Sequence, residues 1–593
     1  MKLFKKIMAL VVAMVMMLSM SIAAFADDPE TPAADTPTTY TITINKDTTD
    51  KAAHTYGAYQ IFTGKLETKD GKDVLSDIQW GEGVTGATVI TELNKIKDAE
   101  DKAVFSIPTT ATAADVAKAI SDKAYTADSA GAQAIADAIN AALTSTTAGT
   151  GTIAADATTG TITGLPAGYY LVKDTADVTG EGSATRYILE VVKNVTVVEK
   201  ANVPSVIKKV KEKDDGKAES ATNPTDWQDG ADYDIGDSIP YKLEGTLPGK
   251  FAEYDTYKVY TFTDTLSAGL TAPAAADIKV TLNTEDGTDL VAANIFEASV
   301  SGQVITVKLK SGVDLRTADY NGATEGGQFV ATDKIIVTYN ATLNNSAVIG
   351  SAGNPNTVKL DFTNNPNGEQ DGKYGTTPED KVIVFTYEIK ALKVEPDGTA
   401  IDQSAYDELT DAQKADYVKV GDKWQKTKAL SGAGFTLYKK VAAGTEGAVD
   451  GYLKIGDEIT GVTTFEFKGT DAGEYKLVET TVPAGYNKAN DVEIKVEATY
   501  DTDSADPKLT SLTVTPATAG FVVESTTTTT GDGADAVSTT TYSGNIVGKI
   551  LNQKGSVLPS TGGIGTTIFY ILGAILVLGA GILLVTRRRM NAN

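Results

Sequence analysis

Short apolar runs with a two-residue period recur along most of this 593-residue chain. Gly, Asn and Asp interrupt these runs at short intervals, while Thr, Val and Tyr are frequent within them. Alternation places every second side chain on one face of a strand, and closely spaced turns let successive strands pair antiparallel. The pattern therefore predicts an all-β fold of tandem immunoglobulin-like β-sandwich domains. Helical periodicity is confined to 113–144 and 404–418, which we predict to be short helical insertions between strands.

Both ends of the chain carry targeting patterns. Residues 1–26 begin with lysines, continue through an apolar stretch and end in Ala-Phe-Ala, which is the order of a secretory signal peptide. A second apolar run, 564–586, precedes three arginines. It is long enough for a transmembrane helix, because about 20 helical residues cross the hydrocarbon core, and the arginines are expected to stay in the cytoplasm. The functional part of the chain is therefore expected outside the cell.

Three domains in tandem are predicted between these ends. The boundaries follow polar stretches and restarting strand patterns. The predicted layout is a signal peptide at 1–26, an N-terminal domain at 27–200, a second domain at 201–380, a third domain at 381–555, and a terminal segment at 556–593 that contains LPSTG, the membrane helix and the basic tail.

Charge and composition exclude several functions. The formal charge of −25 argues against nucleic acid or anionic lipid as a partner. His54 is the only histidine and the chain contains no cysteine, which excludes the common Ser-His, Cys-His and His-ligated zinc sites. A pair of catalytic carboxylates, as in glycoside hydrolases, is not excluded by a composition with 78 acidic residues. We predict no enzyme activity, no cofactor and no metal site.

Three polar side chains of the third domain are predicted to point into its core. Lys393, Glu479 and Asn552 each continue the apolar face of a strand. The apolar residues on those faces are, in turn, Ile383, Phe385, Tyr387, Ile389 and Ala391; Tyr475 and Leu477; and Ile546 and Ile550. An amine, a carboxyl and an amide thus face inward in one domain.

The second domain repeats this set in the same chain order. Lys208, Asp264 and Asn364 each share a strand face with apolar residues. Those residues are, in turn, Val206 and Val210; Tyr260, Phe262 and Leu266; and Val358, Leu360 and Phe362. Each of the six polar residues taken alone also fits a strand end that turns out to solvent. Two complete sets in consecutive domains favour a common chemical role, because burying an unpaired charge is costly.

Burial gives such a set a specific chemistry. Loss of hydration favours a neutral lysine amine and a protonated carboxyl. The amine is then a nucleophile, and the acid is able to polarise the amide and transfer protons as ammonia leaves. The product is a Lys-Asn isopeptide bond. In an exported chain without cysteine, this bond would replace the disulfide as a covalent staple between the first and last strands of a domain.

Several motifs resemble known families of Gram-positive surface proteins. FTYEIKALKVEPDG, LSGAGFTLYKK, YKLVETTVPAGY and ILNQKG resemble the Cna protein B-type domain, whereas IGDSIPYKLEGTLPGKF, FTDTLSAGL, VTYNATLNN and GNPNTVKLDFTNNP resemble the fimbrial isopeptide-forming D2 domain. HTYGAYQIFTGKL and GLPAGYYLVKDT are similar to the N-terminal domain of pilins. LPSTGG before the membrane helix resembles the LPxTG cell-wall sorting signal. The chain is thus similar to sortase-assembled major pilins, the backbone subunits of covalent pili.

The resemblance implies partners and further site residues. The sorting signal would be Leu558, Pro559, Ser560, Thr561 and Gly562, cut by a sortase between the last two. A class C pilin sortase would join the Thr561 carbonyl to a lysine of another copy of the chain, and a housekeeping sortase would join it to peptidoglycan. Minor pilins and host surface ligands are further expected partners. The location implied is the Gram-positive cell wall, after transient membrane anchoring.

The acceptor lysine and the first domain depart from the family pattern. VTVVEKAN stands where a YPK-type motif would lie, so Lys200 takes the acceptor role and Lys193 is the alternative. In the first domain Lys173 stands where the acid would be, and only Lys46 and Asn194 remain as a strand-to-strand pair, so no isopeptide bond is predicted there. A wall-anchored adhesin that does not polymerise is the alternative function.

Overall fold

The structure is a computed structural model that describes residues 38–555 apart from short gaps, with a few residues beyond them. The gaps are 47–49, 70–71, 99, 126–129, 176–177, 179–181, 183, 185, 199–202, 213–226, 323–326, 367–373, 516–519 and 531–536, and the later described residues are 572, 574–578, 580 and 587. The predicted signal peptide, the LPSTG motif and Lys200 lie outside the described residues. We refer below to the N-terminal part (38–198), the middle part (203–385) and the C-terminal part (387–555).

The N-terminal part combines two sheets with three helices. Its strands are β1 (Tyr40–Asn45), β2 (His54–Lys69), β3 (Lys72–Trp80), β4 (Gly149–Ile153), β5 (Thr159–Leu165), β6 (Gly168–Asp174), β7 (Arg186–Val191) and β8 (Val195–Val198). Its helices are α1 (Gly86–Leu93), α2 (Ala113–Ser121) and α3 (Ala130–Asn140). One sheet has the order β5-β1-β8 and the other β3-β2-β6-β7, with β4 also paired to β2.

The helices of the N-terminal part cover one face of the larger sheet. Val89, Val116 and Ile135 from the three helices join Ile61 and Leu171 from the sheet in one apolar cluster. The helices predicted within 113–144 are confirmed as α2 and α3. Thr112 begins α2 with a capping box to Asp115, which satisfies two backbone donors at the helix start. Helix α1 has no counterpart in the sequence prediction.

The middle part is a β-sandwich. Its strands are β9 (Val206–Lys211), β10 (Trp227–Gln228), β11 (Gly230–Asp232), β12 (Ser238–Thr246), β13 (Tyr260–Leu266), β14 (Leu270–Thr271), β15 (Lys279–Leu282), β16 (Phe296–Ser301), β17 (Val304–Leu309), β18 (Lys334–Leu343), β19 (Asn354–Phe362), β20 (Gly375–Thr376) and β21 (Asp380–Phe385). Two 3-10 turns lie at Phe251–Glu253 and Ala275–Asp277.

Two sheets enclose the core of the middle part. One has the order β10-β9-β12-β18-β14 with β15 on β18, and the other has β11-β21-β19-β13-β17-β16 with β20 on β19. Strand β19 shows strict alternation of buried and partly buried residues, as expected for a strand with one face in a core. Several tyrosines of the core are buried, among them Tyr233, Tyr241, Tyr257 and Tyr260.

The C-terminal part is a second sandwich. Its strands are β22 (Tyr387–Pro396), β23 (Tyr417–Val420), β24 (Lys423–Ala429), β25 (Gly434–Lys440), β26 (Tyr452–Thr460), β27 (Thr464–Thr470), β28 (Gly473–Thr481), β29 (Val492–Tyr500), β30 (Leu509–Thr515), β31 (Phe521–Thr530) and β32 (Val537–Leu551). One sheet has the order β23-β24-β22-β32-β31 with β27 on β22, and the other has β26-β25-β28-β29-β30.

Two features of this region differ from the sequence pattern. The segment 404–418 was predicted as one helix but holds two short ones, α4 (Gln403–Asp407) and α5 (Asp411–Lys414). Thr410 is the N-cap of α5 and so starts a second helix. The alternation that runs from Ile383 to Lys393 covers two strands rather than one. Strand β21 pairs with β19 of the middle part, whereas β22 pairs with β32. A continuous period of two cannot show that the chain changes sheets at Thr386.

The chain divides into two compact units. Of the described residues, the first unit holds those up to Val348 with Ala352–Thr386 and Tyr500–Lys508, and the second holds Ile349–Ser351, Tyr387–Thr499 and those after Lys508. The predicted all-β sandwich architecture with short helical insertions is confirmed. Of the predicted membrane segment, 572, 574–578 and 580 are described and are helical. Across the described residues, no helix has the length and apolarity that crossing a bilayer requires.

Candidate functional site

Lys393, Glu479 and Asn552 meet in the interior of the C-terminal part, and we call them the C-terminal cluster. Each side chain belongs to a residue only 1% exposed. Lys393 Nζ lies 2.5 Å from Asn552 Oδ1 and 2.9 Å from Glu479 Oε1. Asn552 Nδ2 donates to both Glu479 carboxyl oxygens, at 2.9 and 3.2 Å. Each of the three groups therefore contacts the other two.

The strand pairing explains this convergence. Strands β22 and β32 lie side by side and parallel, with Lys393 opposite Ile550. Asn552 follows β32 directly, and its backbone N–H donates to the carbonyl of Val394 at 2.9 Å. Glu479 reaches the pair from β28 in the opposite sheet. A lysine and an amide on adjacent strands thus face an acid across the sandwich.

A corresponding group lies inside the middle part, where Asn356 stands in place of the predicted Asn364 and Tyr339 is an additional member. Lys208 Nζ is 2.7 Å from Asp264 Oδ1 and 3.1 Å from the Tyr339 hydroxyl. The same hydroxyl donates to Asp264 Oδ2 at 2.5 Å and accepts from Asn356 Nδ2 at 2.8 Å. We call Lys208, Asp264, Tyr339 and Asn356 the middle cluster. Lys208 and Asp264 are 0% exposed.

The two sheets of the middle part supply two members each. Lys208 and Tyr339 lie on β9 and β18 of one sheet, and Asp264 and Asn356 lie on β13 and β19 of the other. Strands β13 and β19 are neighbours, with Leu266 opposite Asn356. A bond between Lys208 and Asn356 would therefore join the two sheets of the sandwich, whereas a bond in the C-terminal cluster would join two strands of one sheet.

Asn364, the predicted partner of Lys208, lies away from the middle cluster, and the amide found in that cluster is the one of Asn356. Asn364 follows the opposite end of β19, where Phe362 pairs with Tyr260. At about 3.3 Å per residue it lies roughly 25 Å further along the strand than Asn356. Its amide instead donates to the carbonyls of Val178 and Gly182, at 2.6 and 3.2 Å.

Burial perturbs the amines of both clusters in the same direction. It lowers the pKa of Lys208, while the charge and hydrogen bond of Asp264 oppose the shift. It also lowers the pKa of Lys393 against the opposing effect of Glu479. Aromatic rings complete each environment, since Lys393 Nζ lies 5.2 Å from the centre of the Phe435 ring and Lys208 Nζ lies 5.2 Å from that of Tyr241. Lys393 contacts its amide and acid directly, whereas Lys208 contacts its acid directly and is linked to the amide of Asn356 through Tyr339. A lysine with a lowered pKa in such surroundings is suited to act as a nucleophile.

The N-terminal part holds no comparable group among its described residues. Lys46 donates to the carbonyls of Ala52, Ala154 and Ala155, and Asn194 accepts from the backbone of Thr41, so these two residues are not paired with each other. The Lys173 amine donates to Asn140 Oδ1 at 2.9 Å. Lys193, the alternative acceptor for polymerisation, is exposed.

The buried histidine is surrounded by acids. His54 Nδ1 lies 3.1 Å from Asp174, and its Nε2 lies 3.2 Å from Asp50. Within the described part of the chain, no group of three or more His, Cys, Asp or Glu residues is placed to hold a metal ion.

Tyr339 and Asn356 were missed by the sequence analysis. Asn356 shares its strand face with the apolar residues that selected Asn364, so alternation alone does not separate the two. Tyr339 lies on the buried face of β18 with Ile335, Val337, Ala341 and Leu343. The only sequence feature that could have indicated a role for Tyr339 is that a phenol stands among aliphatic residues on that face.

Comparison with known proteins gives three family matches. Residues 235–366 match the Gram-positive pilin backbone subunit 2, Cna-B-like domain; residues 417–509 match a prealbumin-like fold domain; and residues 550–592 match the LPXTG cell wall anchor motif. The anchor motif confirms the predicted location of the chain on the cell wall.

One similar protein is a streptococcal surface protein. The chain is 26% identical over 307 residues to the trypsin-resistant surface T6 protein of Streptococcus pyogenes serotype M6, across 43% of this chain and 48% of that protein. The match thus spans about half the length of the curated relative.

Two solved pilins give structural matches. The T6 backbone pilin of S. pyogenes is 18% identical, with 88% of this chain and all of that chain covered, at a TM-score of 0.46. The major pilin SpaD of Corynebacterium diphtheriae is 17% identical, with 88% and 98% covered, at a TM-score of 0.40. Through its family matches, the chain carries a Gram-positive pilin backbone domain, a prealbumin-like domain and a cell wall anchor motif, and the predicted resemblance to pilin backbone subunits is confirmed.

Proposed function

We propose that the chain is the structural shaft subunit of a covalent cell-surface pilus that supports adhesion. The observation that carries this proposal is the presence of two buried lysine, acid and amide clusters in a chain with an LPXTG anchor motif at 550–592. The pilin backbone match at 235–366 supports the same function. Internal crosslinks make individual domains resistant to force, and the sorting motif provides the means to join subunits end to end.

Polymerisation is proposed to follow the chemistry of the sorting motif. The cysteine of a class C pilin sortase attacks the carbonyl of Thr561, breaks its bond to Gly562 and holds the carbonyl as a thioester. The amine of Lys200 in the next subunit then attacks, an amide forms, and the sortase thiol is released. A housekeeping sortase transfers the last subunit to peptidoglycan, and minor pilins join the fibre by the same chemistry.

Substitution of the acceptor lysine tests polymerisation. Wall extracts boiled in detergent should show a ladder of covalent multimers, and Lys200→Ala should reduce that ladder to monomer, because the thioester then has no pilin amine to acylate. Wall attachment should persist in this variant. Lys193→Ala tests the alternative acceptor, which is exposed, and should keep the full ladder if Lys200 is the acceptor. A full ladder in Lys200→Ala would move the acceptor to another lysine.

A wall-anchored adhesin that remains monomeric is the second candidate. It would share the signal peptide, the sandwich domains and the anchor motif. Wild-type chains that run only as monomers in the presence of a class C pilin sortase would favour this function over the shaft. The crosslinks proposed below do not depend on which of the two functions holds.

The two clusters are proposed to form Lys-Asn isopeptide bonds without an added enzyme. In each, the neutral lysine amine attacks the side-chain carbonyl carbon of the asparagine, the carbon–nitrogen bond of the amide breaks, and ammonia leaves. The acid accepts a proton from the attacking amine and supplies one to the leaving nitrogen. In the middle cluster Lys208 would bond to Asn356 with Asp264 as the acid. In the C-terminal cluster Lys393 would bond to Asn552 with Glu479 as the acid.

Mass spectrometry of the purified ectodomain tests both bonds at once. The intact mass should fall short of the sequence mass by two molecules of ammonia, because each bond releases one. Tryptic digestion should yield two branched peptides, one for each cluster. An intact mass equal to that of the sequence would contradict the assignment of both clusters. If the mass shows that only one ammonia is lost, then one cluster has reacted, and the branched peptide identifies which one.

A further inference from the structure

The Tyr339 hydroxyl lies among the reacting groups of the middle cluster. Its three hydrogen-bond partners are Lys208 Nζ at 3.1 Å, Asp264 Oδ2 at 2.5 Å and Asn356 Nδ2 at 2.8 Å. These are the nucleophile, the acid and the leaving nitrogen of the proposed crosslinking reaction. A tyrosine that served only to fill the core would not need its hydroxyl bonded to all three.

Comparison of the two clusters shows what the hydroxyl replaces. In the C-terminal cluster, Glu479 contacts both Lys393 and the amide nitrogen of Asn552 directly. In the middle cluster the acid is an aspartate, which is one methylene shorter. Within the described residues, the Asp264 carboxyl makes no hydrogen bond to Asn356, and the two are instead linked through Tyr339. The phenol therefore occupies the position between acid and amide.

We propose that Tyr339 is a catalytic residue of the middle cluster, which relays a proton from Asp264 to the leaving nitrogen of Asn356. This inference rests on the proposed isopeptide bond between Lys208 and Asn356. It assigns different proton pathways to the two clusters of the same chain, with a direct transfer through Glu479 in one and a transfer through a phenol in the other.

The relay balances in protons and bonds. The reactive form is the neutral pair, in which the Tyr339 hydroxyl has taken a proton from the Lys208 ammonium and given its own proton to Asp264 Oδ2. As Nζ bonds to the Asn356 carbonyl carbon, Oδ1 accepts a proton from Nζ. The proton on Oδ2 passes to the Tyr339 oxygen, the phenol passes its own proton to Nδ2, and ammonia leaves. Compared with the neutral pair, Asp264 still carries one proton, now on Oδ1, and Tyr339 is again a neutral phenol.

The surroundings of the phenol suit a relay. Burial, with the adjacent charge of Asp264, raises the pKa of Tyr339 well above its ordinary value. The hydroxyl therefore holds its proton until another proton arrives. The ring is fixed in place, because it stacks on Tyr241 with the ring centres 5.4 Å apart. Fixed geometry of this kind is what proton transfer between positioned groups requires.

Removal of the hydroxyl from the full chain, produced in a host without sortases, tests the relay. Tyr339→Phe keeps the ring and its packing. We expect the Lys208–Asn356 branched peptide to form at least about 100-fold more slowly, the lower end of the usual contribution of a positioned proton donor. The Lys393–Asn552 peptide should form as in wild type. Tyr257→Phe is the matched control, because Tyr257 lies in the same core with a hydroxyl that makes no hydrogen bond within the described residues.

Two further readouts separate catalysis from folding. If Tyr339→Phe is folded, the melting temperature of its middle part should equal that of Asp264→Asn, which is also expected to lack the middle crosslink. The crosslink should then form slowly when the folded Tyr339→Phe chain is incubated. Formation of the middle crosslink at the wild-type rate in Tyr339→Phe would overturn the relay and leave the crosslink standing. Absence of that crosslink from wild type would overturn both. A melting temperature of Tyr339→Phe far below that of Asp264→Asn would assign the tyrosine to packing and overturn the relay.

Discussion

Glu479→Gln is expected to leave the C-terminal part uncrosslinked and to lower its free energy of unfolding by at least about 5 kcal/mol. Glutamine keeps the size of the side chain but accepts no proton from the Lys393 amine, so the amine does not become acylated. The lost bond would have closed a loop of 159 residues. On the chain-entropy model a loop of this length contributes about 5 kcal/mol to stability. The lysine left buried without its carboxylate adds to the loss.

Calorimetry of the ectodomain measures this effect. A loss of about 5 kcal/mol should lower the transition of a unit of this size by roughly 10 to 20 °C, and the variant should become sensitive to protease. Glu388→Gln is the control, because Glu388 is another buried carboxylate of the same part and pairs with Lys390 at 3.0 Å rather than with the cluster. A Glu479→Gln chain that still loses two ammonia molecules would show that the acid is not required.

The placement of the bonds has a mechanical consequence for a fibre. Lys393 lies on the strand by which the chain enters the C-terminal part, and Asn552 follows the strand by which it leaves. Force applied along the chain would pass through the proposed bond and bypass the residues between the two. In the middle part, a bond between Lys208 and Asn356 would bypass the residues between them, whereas most of β19 and all of β20 and β21 follow Asn356. With both proposed bonds formed, we expect a shaft of such units to extend little under load.

Alternation was sufficient to identify the C-terminal cluster. Lys393, Glu479 and Asn552 lie on faces that apolar residues mark clearly, and the structure places all three within hydrogen-bonding distance. The parallel pairing of β22 with β32 was not visible in the sequence, because it joins strands at opposite ends of the domain. The proximity of the two strands followed instead from the chemistry of the three side chains, since an amine, a carboxyl and an amide buried in one domain are expected to pair.

The middle cluster shows where alternation is insufficient. Every second residue of β19 from Asn354 to Phe362 is buried, and the same face continues to Asn364. A period of two identifies the face but not the position along it. The register with β13 decides that position, since it sets Leu266 opposite Asn356. Register depends on contacts between distant segments, so the sequence pattern could not distinguish these asparagines.

Tyr339 and helix α1 were also not predicted from the sequence. Tyr339 fits the buried face of β18 as an aromatic core residue, and only its neighbours show that the hydroxyl meets an amine, an acid and an amide. Helix α1 is eight residues long, which is too short to establish a helical period against the surrounding strands.

Asn356→Ala and Asn364→Ala are expected to separate the two assignments for the partner of Lys208. Asn356→Ala removes the carbonyl carbon that the amine attacks, so the ectodomain should retain one more ammonia than wild type and lose the middle branched peptide. The closed loop is similar in length to that of the C-terminal bond, and the stability lost with it is again about 5 kcal/mol.

Asn364→Ala should leave both crosslinks in place. It removes the donor to the carbonyls of Val178 and Gly182, which leaves buried acceptors unsatisfied at a cost of about 1 to 3 kcal/mol. Intact mass and the peptide map distinguish the variants even if their melting temperatures fall together, because only Asn356→Ala changes the number of ammonia molecules released. The reverse result, with the middle crosslink lost in Asn364→Ala and kept in Asn356→Ala, would require β19 to shift by eight residues against β13. Such a shift would remove the Asn356 amide from Tyr339, so it would also exclude the proton relay through that phenol.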